Sequence, residues 1–202
     1  MMGARVYLAA EDSVGLALGR RLIREQSSLE IFRDFNGQGF GRLRADVRQF
    51  DNLAKNGIPV VLLTDLDRQS CPIGLLEDWL GKNHVLNQNF LLRVCVREAE
   101  AWVMADTEAV ARFLGIPCGR LSSQPEDLSD PKHEFLRLAA QSTRNIRNGL
   151  LPKGRSKALV GPEYNRHLES FIREHWSPDA AGLRAPSLQS ARQRISELSR
   201  RC

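Results

Sequence analysis

Apolar residues recur along the first half of the chain in two alternating rhythms. Short runs that are continuously apolar, or apolar at every second position, read as strands. They are "ARVYLAA" at 4–10, "LEIFRDF" at 29–35, "IPVVLLTD" at 58–65 and "NFLLRVCV" at 89–96. The third run is apolar on both faces, as a parallel strand covered by helices on each side must be. Between the runs, apolar residues return every three or four positions, the spacing of a helix with one buried face. These helical stretches are 14–25, which Ser13 would cap, 42–57, ended by Gly57, 72–82, and a long one at 98–115 closed by Gly115.

Strands alternating with helices through residue 115 predict an α/β fold: an open, mostly parallel sheet with helices on both faces. Beyond that point the pattern changes. Prolines gather in "SSQPEDLSDPKHE", and a basic loop, "PKGRSKALVGPEYN", separates helical stretches at 133–147 and 163–176. A last helix is expected over 186–201. The division is therefore an α/β domain over 1–115 and a mainly helical extension over 116–202 packed on it. Trp79, Trp102 and Trp176 sit inside apolar helical patterns and are expected in the core.

Composition narrows the function classes. With 42% hydrophobic residues over 202 positions the chain can bury a sizeable core. No stretch reaches the roughly 18 continuous apolar residues a membrane helix needs, and the N-terminus lacks the apolar segment of a signal peptide. A cytoplasmic protein is expected, with no membrane partner. Cys71, Cys95, Cys118 and Cys202 are too widely spaced for a zinc or disulfide framework, and Cys95 is expected in a buried strand. The four histidines form no metal-binding array. A net charge of +5 permits a nucleic-acid partner without establishing one.

Candidate chemistry lies at the strand ends. In open parallel sheets ligands bind outside the carboxyl ends of the strands. Here the first strand runs into Glu11 and Asp12, the third into Asp65 and Asp67, and the fourth into Glu98 and Glu100. If the third strand persists through Asp67, both aspartates share a face with Cα atoms roughly 7 Å apart. Each unscreened like-charge pair at that distance costs about 2 kcal/mol at an effective dielectric of about 20. Clustered carboxylates therefore call for a cation, and hard oxygen ligands select Mg or Mn. Each acid also has a plainer role: Asp12 or Asp67 as a helix cap, Glu98 and Glu100 as first-turn acids favoured by the helix dipole.

Taken together, Glu11 after the first strand and the Asp65–Asp67 pair after the third resemble the signature of the TOPRIM superfamily. This metal-binding domain is shared by topoisomerases, primases and OLD-type nucleases. The segment "REAEAWVMAD" at 97–106 is similar to one in small stand-alone TOPRIM-like proteins associated with anti-phage defence. The resemblance covers roughly residues 4–115. It departs at Asp12, where the family carries glycine; the acid usual four positions after the glutamate is absent, and Asp12 is expected to stand in for it. The resemblance implies a Mg- or Mn-dependent nuclease, in a defence setting with an ATPase partner protein. It implies that Asp65 and Asp67 hold metal and that Glu11 holds a second ion or acts as general acid or base. Glu100, and with it Glu98, would complete the shell, while Arg68 or Arg97 steadies the scissile phosphate.

Two basic features add to a nucleic-acid expectation. Arginines line the helices at Arg20, Arg21 and Arg24 and at Arg42, Arg44 and Arg48. Arg144, Arg147, Lys153, Arg155 and Lys157 surround the later proline–glycine loop, suiting a contact that tracks the phosphate backbone. "GRSK" lacks the spacing of a P-loop, and "NGQGFG" lacks that of a dinucleotide fingerprint. Two alternatives stand beside the nuclease: a nucleotide-sugar or phosphate-ester enzyme using the DxD for manganese, and a non-catalytic binding component with a degenerate metal site.

Overall fold

The computed structural model describes residues 3–154 and 157–202. Four strands, β1 (Ala4–Ala10), β2 (Leu29–Asn36), β3 (Val60–Asp65) and β4 (Phe90–Cys95), form one sheet in the order β2-β1-β3-β4. Every neighbouring pair is parallel. Helices α1 (Ser13–Ile23), α2 (Phe40–Lys55) and α3 (Pro72–Leu80) cross between the strands. After β4 the chain is helical: α4 (Ala99–Ala105), α5 (Thr107–Leu114), α6 (Pro131–Ala139), α7 (Arg144–Leu150), α8 (Tyr164–Glu174), α9 (Pro178–Gly182) and α10 (Pro186–Arg201).

Side-chain alternation along the strands supplies two cores. Ala9, Val60, Leu62, Leu92 and Val94 pack against Leu43, Val47 and Phe50 of α2 and Leu75 and Trp79 of α3. Val6, Leu8, Ala10, Val61, Leu63 and Leu91 face the other way, toward α1, α4, α5 and the helices after residue 115. Phe135, Leu168, Phe171, Trp176, Leu188 and Ile195 belong to that same continuous cluster. Each such side chain contributes roughly 1.5–3 kcal/mol on burial. The α/β class and helices on both faces are as expected, and all three tryptophans are buried. Cys95 is buried in β4; the other three cysteines are exposed free thiols. No helix among the described residues is long and apolar enough to cross a membrane.

Local chemistry moves several element boundaries. Asp12, not Ser13, caps α1: its Oδ1 accepts the Gly15 N–H at 2.8 Å. The stretch 98–115 is two helices. Asp106, buried at the break, accepts the Ala109 N–H with Oδ1 (3.2 Å) and the Ser177 N–H with Oδ2 (2.8 Å), so it starts α5 and ties it to α9. The stretch 133–147 also divides, because Thr143 (φ −55°, ψ 154°) leaves the helical conformation just before α7. The "NGQGFG" loop braces β1 instead of opening a phosphate cradle: Gly37 N–H bonds the Ala10 carbonyl (2.8 Å) and Gly39 N–H that of Glu11 (3.0 Å). Gly39 there has φ +117°, a conformation essentially reserved for glycine.

Candidate active site

In this strand order β1 lies between β2 and β3, so the chain reverses its winding there. A crevice opens at such a switch point, outside the carboxyl ends of β1 and β3. The β1–β3 register pairs Ala10 with Leu63, which brings Glu11 beside Thr64; the Thr64 hydroxyl donates to Glu11 Oε2 at 3.3 Å. Asp65 ends β3 opposite Cys95 of β4, and its Oδ1 accepts the Ala99 N–H at the start of α4 (2.9 Å). Glu100 follows in the first turn of α4 and is only 1% exposed.

The third strand does not persist to Asp67. It stops at Asp65, and Asp67 takes a left-handed conformation (φ +50°), which aspartate tolerates better than most residues. The Leu66 and Asp67 N–H groups both bond the Arg97 carbonyl (2.9 and 3.0 Å). Arg97 answers with its guanidinium, donating to the Asp67 carbonyl at 3.1 Å. This reciprocal clamp turns Asp67 into a cleft of about 580 Å³, which Arg68, Arg97, Glu98, Ser129 and Asp130 also line.

The carboxylates act on one another. Burial raises the Asp65 pKa well above the ordinary aspartate range, and the charges of Glu100, Glu11, Asp12 and Asp67 raise it further. Glu11 is raised for the same reasons, burial first, then Asp67 and Asp12. The acids expected at one edge are thus within electrostatic reach of each other. Asp12 and Glu98 each have a prior hydrogen bond: Asp12 caps α1, and Glu98 Oε2 accepts the Lys132 N–H at 2.8 Å. The neighbouring Cys95 thiol is pushed well up by burial and by Asp65, which keeps it protonated and removes it as a nucleophile.

Two residues that the strand-end pattern does not reveal complete the site. Lys132, at the start of α6, places Nζ 3.3 Å from Glu100 Oε1. Burial works against its charge, but Glu100, Asp12, Asp65 and Glu98 outweigh burial and hold its pKa above the ordinary lysine value. Tyr164, at the start of α8, donates its hydroxyl to the same Oε1 at 2.8 Å and is buried. Burial and then Glu100 push its phenol well up. Among the described residues, Glu100 Oε2 is buried with no hydrogen-bond partner. The only advance signals were Asp130 and Pro131, a cap and first-turn pair placing Lys132 on a helix.

Of the predicted cationic contacts, Arg68 and Arg97 stand in the cleft beside Asp67. Arg144 and Arg147 lie exposed on α7, and Lys153 and Lys157 are exposed in the loop after it. Arg155 falls outside the described residues. Arg20, Arg21 and Arg24 lie at the far end of α1, where they line a separate cavity of about 270 Å³ with Arg173 of α8.

As the side chains stand, no three carboxylate, histidine or cysteine groups among the described residues are drawn together closely enough to hold a metal ion. The donor set nevertheless fits a hard divalent cation: it is all oxygen, its charges repel, and one buried oxygen has no partner. Comparison of the chain with family models, with curated proteins and with solved structures gave no match.

Proposed function

We propose that the chain is a Mg- or Mn-dependent nuclease of TOPRIM type, hydrolysing phosphodiester bonds of DNA or RNA. The observation that supports this reading most is the concentration of carboxylates at the β1–β3 switch point, including a fully buried Glu100 oxygen left without a partner. Lys132 alone does not neutralise Glu11, Asp12, Asp65, Asp67 and Glu100, and a divalent ion satisfies what remains. Glu11, Asp65, Asp67 and Glu100 would hold it, with Asp12 and Glu98 at its margin. Such an ion offsets charge developing on the phosphoryl oxygens and lowers the pKa of a bound water.

The chain's own residues then divide the remaining work. Glu11, half-buried at the end of β1, would hold a second ion or instead carry a proton as general acid or base. Arg68 is exposed in the cleft without a side-chain partner among the described residues and is the group to grip a phosphate. Arg97 donates Nη1 to the carbonyls of Asp67 and Gln69, so it orients the loop, and its other guanidinium nitrogens would help steady the phosphate. Arg144, Arg147, Lys153 and Lys157 would track the nucleic-acid backbone further out. The defence role and the ATPase partner follow from the same resemblance.

The test is cleavage of single- and double-stranded DNA and RNA with Mg or Mn. Asp65→Ala should abolish cutting. A second reading, a non-catalytic nucleic-acid-binding component, has two observations on its side: Lys132 already occupies Glu100, and no three ligands are gathered among the described residues. On that reading no substrate is cut, and Asp65→Ala shifts nucleic acid on a gel as well as the unaltered protein.

A further inference from the structure

Lys132 is held by two bonds with different freedoms. Its backbone N–H is fixed on Glu98, but its ammonium reaches Glu100 at the end of a flexible four-carbon stem. The Lys132 side chain is 32% exposed, whereas the Glu100 side chain it pairs with is 2% exposed. Ser129 and Asp130, just before it, line the same cleft as Arg68. The ammonium therefore rests on a buried carboxylate, on a partly exposed side chain that follows two cleft-lining residues in the chain. Tyr164 keeps Glu100 Oε1 hydrogen-bonded independently of the lysine.

We propose that Lys132 is an internal counter-cation: it competes with a divalent ion for Glu100 and passes to a substrate phosphate when the ion enters, coupling metal loading to phosphodiester binding. This rests on the metal-dependent reading above. An ammonium and a divalent cation sharing one carboxylate repel strongly in a partly buried site. The lysine thus keeps metal affinity low while its own alternatives are poor. A phosphate supplies an alternative, a charge-assisted acceptor for the displaced ammonium. Because coupling between two ligands is reciprocal, phosphate must then tighten metal binding and metal must tighten phosphate binding. Buried Glu100 is kept from standing uncompensated in either state.

Calorimetric titration of the full chain with Mn²⁺, with and without thymidine 5′-monophosphate, tests this directly. In the unaltered protein the nucleotide should tighten Mn²⁺ binding severalfold. Lys132→Met should bind Mn²⁺ alone about tenfold more tightly and lose the nucleotide effect, and Lys132→Arg should retain both behaviours. If Lys132→Met binds Mn²⁺ no better than the unaltered protein, the lysine proposal falls while the metal site stands. If the unaltered protein binds Mn²⁺ but the nucleotide does not tighten it, the proposal also falls, and this arm holds even if Lys132→Met fails to fold. If the unaltered protein does not bind Mn²⁺ with or without nucleotide, the metal-dependent reading itself is overturned.

Discussion

Asp65→Asn removes one charge from the centre of the carboxylate cluster while keeping its shape. The amide retains an oxygen for the Ala99 N–H, although a neutral acceptor weakens that bond by about 1 kcal/mol. Against this loss stands relief of repulsion with Glu100, Glu11, Asp12 and Asp67, the charges that lift the Asp65 pKa. A like-charge pair about 8 Å apart repels by about 2 kcal/mol at an effective dielectric of about 20, and solvent and salt reduce that further for the outer partners. Burial of the charged form adds in the same direction. The net expectation is that the metal-free variant is more stable by about 2 kcal/mol, or about 4–8 °C in melting temperature for a chain of this length. The pH dependence fixes the cause. An acid whose folded pKa is raised contributes stability that is fully present below its unfolded value, near 4, and is lost as pH rises through the folded value. The advantage of Asp65→Asn should therefore be absent near pH 4, grow with pH, and level off above the raised Asp65 value. Melting curves in EDTA from pH 4 to 8 measure this. A variant less stable than the parent at pH 8, or a gain that does not vary with pH, would refute the clustered-carboxylate argument.

Three further substitutions probe the supports around the cluster. Tyr164→Phe deletes a 2.8 Å bond to a buried carboxylate and should cost about 2 kcal/mol in urea unfolding; a loss under about 0.5 kcal/mol would mean that Glu100 does not depend on it. Gly161→Ala places a methyl 2.2 Å from the Gly149 carbonyl oxygen, against the α7–α8 junction that positions Tyr164. It should cost about 2–3 kcal/mol and combine with Tyr164→Phe less than additively, whereas full additivity would separate the junction from the site. Asp106→Ala strips the cap from α5 and the anchor from Ser177, for an expected loss of about 2 kcal/mol by thermal melting.

The features legible in the sequence were those carried by short-range patterns. Alternating apolar rhythms reveal a parallel sheet because β3 and β4 are buried on both faces, and the acids reveal an edge because they interrupt those runs. Caps were partly legible: Asp130 before Pro131 and Asp106 before "TEAV" are both recognisable starts, yet the apolar periodicity running across Asp106 suggested a single helix over 98–115. Strand order was not legible, since nothing local distinguishes β2-β1-β3-β4 from other parallel orders. Lys132 and Tyr164 were not legible either. They lie 32 and 64 residues beyond Glu100, and a lysine after "SDP" or a tyrosine after "GPE" looks like an ordinary surface or core residue until tertiary packing brings it to the carboxylate.

The distribution of charge also constrains how a nucleic acid would approach. A bare carboxylate edge repels phosphate, so without metal the first contacts must be made elsewhere. On the proposed function, the exposed arginines of α7 and the lysines of the loop after it would supply such contacts, on the same C-terminal segment that delivers Lys132 and Tyr164 to Glu100. Binding and neutralisation would then be mechanically linked: a strand held by α7 would lie on the element that leads into α8, and α8 begins at the tyrosine bonded to the buried acid. Replacing Arg144 and Arg147 together by glutamate should therefore weaken binding of any nucleic-acid sequence and lower its salt dependence, while leaving Mn²⁺ affinity in the absence of nucleic acid unchanged. Filter binding across a salt series, beside the calorimetric titration, reads both quantities. Loss of intrinsic Mn²⁺ affinity in that variant would show that α7 supports the carboxylate cluster itself and is not merely the outer grip.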